Sequence, residues 1–101
     1  MKTADRLSFD VWAVEEFCRR RRIRRLALFG SVLRRDFRPG SDVDVLVEFE
    51  RGHTPGLAFF EMEEELSRLF GRKVDLNTPQ FLSTRFRNRV QSEAEVLFGT
   101  E

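Results

Sequence analysis

The segment 42–49, DVDVLVEF, alternates apolar and charged side chains with period two, and no other stretch limits the fold as strongly. Residues two apart on a strand face the same way with Cα atoms roughly 6.5–7 Å apart. Val43, Val45 and Val47 therefore take one face, and Asp42 and Asp44 the other. The valines require a core on their side. The aspartates require a different explanation, because two ionised carboxylates about 6 Å apart repel by roughly 3 kcal/mol at an effective dielectric of 20, a large share of a small domain's stability. A divalent cation offsets that cost: Mg²⁺ prefers hard carboxylate oxygens, keeps several waters and completes its shell with phosphates. Asp75, in KVDLN, has Val74 and Leu76 on either side, which puts it on the polar face of a second strand. If that strand lies beside 42–49, Asp75 joins the pair.

The elements around these strands alternate β and α. Ser8 can cap a helix over 9–21 whose apolar positions Val11, Val14, Phe17 and Cys18 follow a three/four spacing. RRLALFG is a short strand ending at Gly30, followed directly by a short helix over 31–35. The segment 57–70 is an amphipathic helix with Phe59, Met62, Leu66, Leu69 and Phe70 on one stripe and Gly71 as its stop. After the strand RKVDLN, Thr78 is a candidate N-cap and Pro79 a first helical residue, opening a helix to Ser92. EVLF closes the chain as a short strand. One α/β (α+β) domain over 1–101 follows, a small mixed sheet with helices packed mainly on one face.

With 101 residues the chain supports one core, and 41% hydrophobic content with eleven Phe suffices to fill it. No apolar run approaches the roughly 20 residues of a membrane span, and 1–10 lacks a signal peptide's apolar stretch, so a cytoplasmic protein is expected. Cys18, the only cysteine, fits a small buried hydrophobe; one Cys with one His is too few for a structural zinc site, and a Ser-His-Asp or Cys-His mechanism would have to use His53, in the loop RGHTPG. The net charge of +1 hides an asymmetry: residues 1–41 carry eleven Lys/Arg against five Asp/Glu, residues 42–101 seven against twelve. The run RRRRIRR over 19–25 reads as a solvated helix end or as a basic patch for an acidic partner, substrate phosphates or nucleic acid, although no aromatic residue interleaves it to stack bases. EMEEE over 61–65 reads as a solvated helix face, while Trp12 and the phenylalanines are assigned to the core or a partner groove.

Gly30-Ser31 stands where a strand meets a helix, a junction at which backbone approaches a ligand closely and N–H groups favour an anion. GS, ten residues, then DVD, within LALFGSVLRRDFRPGSDVDVLVEF, resembles the signature of the DNA polymerase β nucleotidyltransferase superfamily and looks like its minimal nucleotidyltransferase (MNT) branch. The resemblance implies the palm-like fold of that superfamily. It implies that Gly30 and Ser31 bind a triphosphate and that Asp42, Asp44 and Asp75 hold Mg²⁺, two ions in all. Ser41 would orient an aspartate or phosphate, Arg34 would contact phosphate, and Arg35 stands where many relatives have Gly.

The implied reaction is attack of a hydroxyl on the α-phosphate of a nucleoside triphosphate, ATP by family habit, with release of pyrophosphate. The resemblance to MNT proteins further implies an antitoxin paired with a helical HEPN toxin, with AMP transfer to a tyrosine of that partner as its activity. The chain has no Tyr, so such an acceptor acts in trans, and nothing beyond the core is present to hold it without another chain. The alternative is a non-catalytic antitoxin or regulatory subunit that neutralises its partner by binding alone.

Overall fold

A computed structural model describes residues 7–34, 37–38 and 40–99. Its elements are helix α1 (Val11–Arg20), strand β1 (Ile23–Phe29), strand β2 (Val43–Phe49), helix α2 (Ala58–Phe70), strand β3 (Val74–Asn77), helix α3 (Thr84–Glu93) and strand β4 (Glu95–Phe98). Short 3₁₀ turns occupy Gly30–Leu33 and Pro79–Phe81. The sheet order is β3-β2-β1-β4. β1 runs antiparallel to both β2 and β4, while β2 and β3 are parallel. A parallel pair needs a crossover, and α2 supplies it. The mixed sheet expected from the alternation is the one that forms.

The valine face of β2 carries the main core. Val14, Phe17 and Cys18 of α1 and Met62, Leu66 and Phe70 of α2 close over Leu26, Leu28, Val43, Val45, Val47 and Val74. Burial pushes the Cys18 thiol up to about 12, with the nearby Glu15 charge adding to the rise, so Cys18 stays protonated and behaves as a small hydrophobe. On the opposite face a smaller cluster joins Phe29, Leu46 and Val90, with Leu33, Leu82 and Ala94 against it. That cluster seats α3 on the same face as the aspartates.

Three expectations about helix boundaries are corrected. The cap of α1 is Asp10 in place of Ser8: its Oδ1 accepts from the N–H of Trp12 (2.9 Å) and of Ala13 (3.3 Å), and its charge suits a helix N-terminus. The expected helix over 31–35 is a single 3₁₀ turn that ends at Leu33, and Arg35 lies outside the described residues. The helix expected from Thr78 is split, because Thr78 makes no side-chain cap and α3 begins after Ser83, whose Oγ accepts from Phe86 N. Arg87 stabilises the break: its Nε donates to Pro79 O (2.7 Å) and a terminal nitrogen to Leu82 O (3.2 Å). Trp12 and Val11, both expected to contribute apolar surface to the interior, are 78% and 52% exposed.

The charged runs are more structural than their sequences suggest. All six arginines of 19–25 meet glutamates: Arg19 with Glu15, Arg20 and Arg21 with Glu65, Arg22 with Glu50, and Arg24 and Arg25 with Glu48. The run is therefore no simple helix end, since it passes from α1 through a turn into β1. Nor is EMEEE only a solvated face. Glu65 ties α2 to α1, and Glu63 Oε2 accepts from Leu76 N (2.8 Å) on the open edge of β3. Ser67 Oγ accepts from Val74 N (2.9 Å) on the same edge while donating to Glu63 O (2.8 Å). An edge strand otherwise left with unpaired N–H groups is held in place by two side chains of its own crossover helix. Among the described residues no helix is long and apolar enough to cross a membrane.

Candidate active site

The parallel register of β2 and β3 sets Asp44 directly beside Asp75. In the antiparallel register on the other side, Phe29 of β1 is the partner of Asp44. Asp42 precedes β2 by one residue and is exposed. Asp44 is held above the usual carboxylate range, first by burial, then by the charges of Asp75 and Asp42. The backbone N–H of Ser31, donating to Asp44, and the Arg34 charge oppose that rise.

Gly30 makes this approach possible. It leaves β1 with φ of +76°, and a Cβ built there would collide with Asp44 Oδ2. A residue with a side chain at this position would be strained by its backbone and blocked by the carboxylate at once. The Gly-Ser turn thus closes against the second aspartate of the pair. Its Ser31 amide, expected to serve a phosphate, serves Asp44 here.

A cavity of about 340 Å³ opens at this point, lined by Gly30, Arg34, Asp44 and Asp75 on the sheet side and by residues of α3 across from them. Asp42 and Ser41 do not line it. Ser41 Oγ instead accepts from Arg38 N (3.1 Å), and its N–H donates to Arg38 O (2.9 Å), so the residue builds the turn that delivers Asp42. Arg72 clamps the same turn, donating to Arg38 O (2.9 Å) and Ser41 O (3.4 Å), with its guanidinium 4.3 Å from the centre of the Phe37 ring. His53 lies exposed in the loop before α2, next to a larger cavity of about 770 Å³ at the far end of β2. Asp44 and Asp75 line the smaller cavity.

Among the described residues no three His, Cys, Asp or Glu side chains form a ready-made ion cage. On its sheet side the cavity offers two adjacent carboxylates, Asp44 and Asp75, with Glu93 across from them on α3 and paired with Arg89. That donor set fits Mg²⁺, which is commonly held by one or two protein carboxylates together with waters and substrate phosphates. It does not fit zinc, which favours nitrogen and sulfur ligands. Asn77, Phe86, Arg89 and Glu93 also line the cavity, and sequence reasoning missed them. The available signal was the helical spacing of 86, 89, 90 and 93, which places these residues on one face of α3.

A family model described as "Nucleotidyltransferase domain" matches residues 12–97. Protein adenylyltransferase MntA of Thermococcus cleftensis is 46% identical over 55 residues, 54% of this chain and 54% of that protein. The chain thus spans about half the length of such curated relatives. A solved structure assigned to the minimal nucleotidyltransferases is 38% identical, covering 83% of this chain and 85% of its own, with a TM-score of 0.70. The MNT antitoxin complex with a tri-AMPylated HEPN toxin of Shewanella oneidensis matches with a TM-score of 0.65 at 22% identity, over 89% of this chain and 70% of that one, a likeness of fold. The matched stretch runs from α1 to β4 and takes in the glycine turn, the paired strands and the cavity between them, so the chain belongs to the nucleotidyltransferase domain family.

Proposed function

We propose that the protein is a Mg²⁺-dependent protein adenylyltransferase that transfers AMP from ATP to a tyrosine hydroxyl of a helical HEPN partner and so acts as its antitoxin. The observation that carries this reading is the juxtaposition of Asp44 and Asp75 in parallel register, with Gly30 packed against Asp44 at the mouth of a cavity. A half-buried carboxylate whose proton affinity is raised by burial and by neighbouring carboxylates, as that of Asp44 is, is costly to keep ionised unless a cation is drawn to it. Asp42, Asp44 and Asp75 would hold the metal, Asp44 and Asp75 from the cavity wall and Asp42 from the start of β2. When bound, Mg²⁺ neutralises charge on the phosphates and polarises the reacting oxygens.

The protein's own groups do the rest. Arg34, beside the carboxylates, orients the triphosphate, and the Gly30 turn lets the backbone approach it. The acceptor oxygen forms a bond to the α-phosphorus as the bond to the bridging oxygen breaks and pyrophosphate leaves, with the hydroxyl proton taken up by the carboxylate cluster. Relatives named as protein adenylyltransferases, and the AMPylated HEPN toxin seen with an MNT antitoxin, support the choice of AMP and of a HEPN acceptor. None of the 101 residues is a Tyr, which supports an acceptor on another polypeptide. The reaction is assigned to the cytoplasm, where ATP and Mg²⁺ are at hand.

The test is transfer of label from α-³²P-ATP, with Mg²⁺, to polypeptides in a lysate of the source cells. The expected result is a labelled protein whose signal falls by about a hundredfold or more when Asp42→Asn and Asp44→Asn are combined, the scale of losing an electrostatic catalytic group. Absence of label, with a partner still co-purifying, would replace this reading by the non-catalytic binding subunit.

A further inference from the structure

Phe86 is 47% exposed, yet it lines the cavity that holds Asp44 and Asp75. It belongs to α3, outside the glycine turn and the carboxylate strands. Among the described residues it has no aromatic or cation–π contact, whereas Phe9 packs on Phe70, Phe59 on Phe60, and Phe37 under Arg72. Leu82, just ahead of the helix, lines the cavity with it, and Val90, one turn on along α3, lies on the same helix face, so the three give the cavity apolar surface opposite the carboxylates. Arg89, at the same wall, is engaged by Glu93 at 3.4 Å.

We propose that Phe86 is the stacking platform for the nucleobase. The inference rests on the nucleotide site proposed above and adds how the base is held. The triphosphate must lie with Arg34, the Gly30 turn and the carboxylates, and the ribose is polar. The base is the one part of a nucleoside triphosphate with a flat apolar face to offer an exposed ring. A cavity of about 340 Å³ is within the range of small-molecule sites. Stacking on a ring tolerates any base, so Phe86 contributes affinity and orientation, with little choice among the four bases.

The experiment measures binding of ATP and of inorganic tripolyphosphate, each with Mg²⁺, to the wild-type protein, Phe86→Ala and Phe86→Trp by calorimetry. The wild-type protein should bind ATP more tightly than tripolyphosphate. Phe86→Ala should weaken ATP about tenfold and leave tripolyphosphate unchanged, and Phe86→Trp should restore ATP. Because Phe86 is half exposed, its removal should leave the thermal midpoint close to wild type, which a melt checks. Unchanged ATP affinity in Phe86→Ala, or an equal loss of both ligands, would overturn the proposal. The first result, with a raised KM for the polypeptide acceptor, would assign the ring to the acceptor instead. Wild-type protein that binds neither ligand would remove the nucleotide site and this inference together. ATP binding that depends on Phe86 without any transfer of label would keep the inference and fail only the catalytic reading.

Discussion

Gly30 and Asp44 answer each other. The left-handed backbone at Gly30 and the contact that a Cβ there would make with the Asp44 carboxylate restrict the position to glycine on two independent grounds. The result is a carboxylate half-buried beside a backbone turn, with Asp75 and Asp42 raising its proton affinity further. A carboxyl whose pKa is raised on folding binds its proton more tightly in the folded state. Its contribution favours folding below the ordinary carboxylate range and is lost as pH rises through the raised value. Asp44→Asn removes that loss. In metal-free buffer at pH 7 the variant should therefore be more stable than wild type, and the gap should close as pH falls toward 3. Urea midpoints at a series of pH values measure it; a wild type more stable at pH 7 without metal would contradict the charge-repulsion account.

The position of β3 is a matter between elements. Its inner edge pairs with β2, and its outer N–H groups at Val74 and Leu76 are taken by Ser67 and Glu63 of α2. Asp75 lies between those two anchors, so the helix that forms the crossover also fixes the distance of Asp75 from Asp44. Replacing Glu63 by Ala leaves a partly buried N–H unsatisfied and should cost about 1–3 kcal/mol. For a domain of this size each kcal/mol lowers the thermal midpoint by about 4–8 °C. Glu61→Ala, at an exposed position on the same helix, should change it little. Differential scanning calorimetry of the pair separates an anchoring role from the general effect of removing acid from α2.

Across the molecule, the arginine run acts as a seam. Six arginines reach four glutamates and connect α1 to α2, β1 to β2, and the turn between α1 and β1 to the end of β2. Exposed pairs of this kind contribute little individually. Arg25 differs, because its side chain is only 13% exposed and its Nε has no hydrogen-bond partner, leaving Glu48 as its counter-charge. Glu48→Gln should destabilise the fold by about 1–3 kcal/mol, more than Glu15→Gln, whose partner Arg19 is well exposed. Chemical denaturation of both variants measures the difference, and equal effects would reduce the seam to surface charge.

Period-two alternation in 42–49 and the isolated Asp75 were enough to predict two strands with their valines inward and their carboxylates outward, because burial sorts the two faces of a strand without help from distant residues. Gly30-Ser31 and its spacing to DVD pointed to the same place through their resemblance to the nucleotidyltransferase signature. Tertiary structure decided what depends on neighbours from other segments: that β3 lies parallel to β2, so that Asp75 meets Asp44; that Ser41 serves a turn and not the cavity; that α3 starts after Ser83; and that Phe86 looks into the site. The arginine run was ambiguous for the same reason. Sequence reports a charge at a position, whereas its partner is set by which elements the hydrophobic core has already brought together.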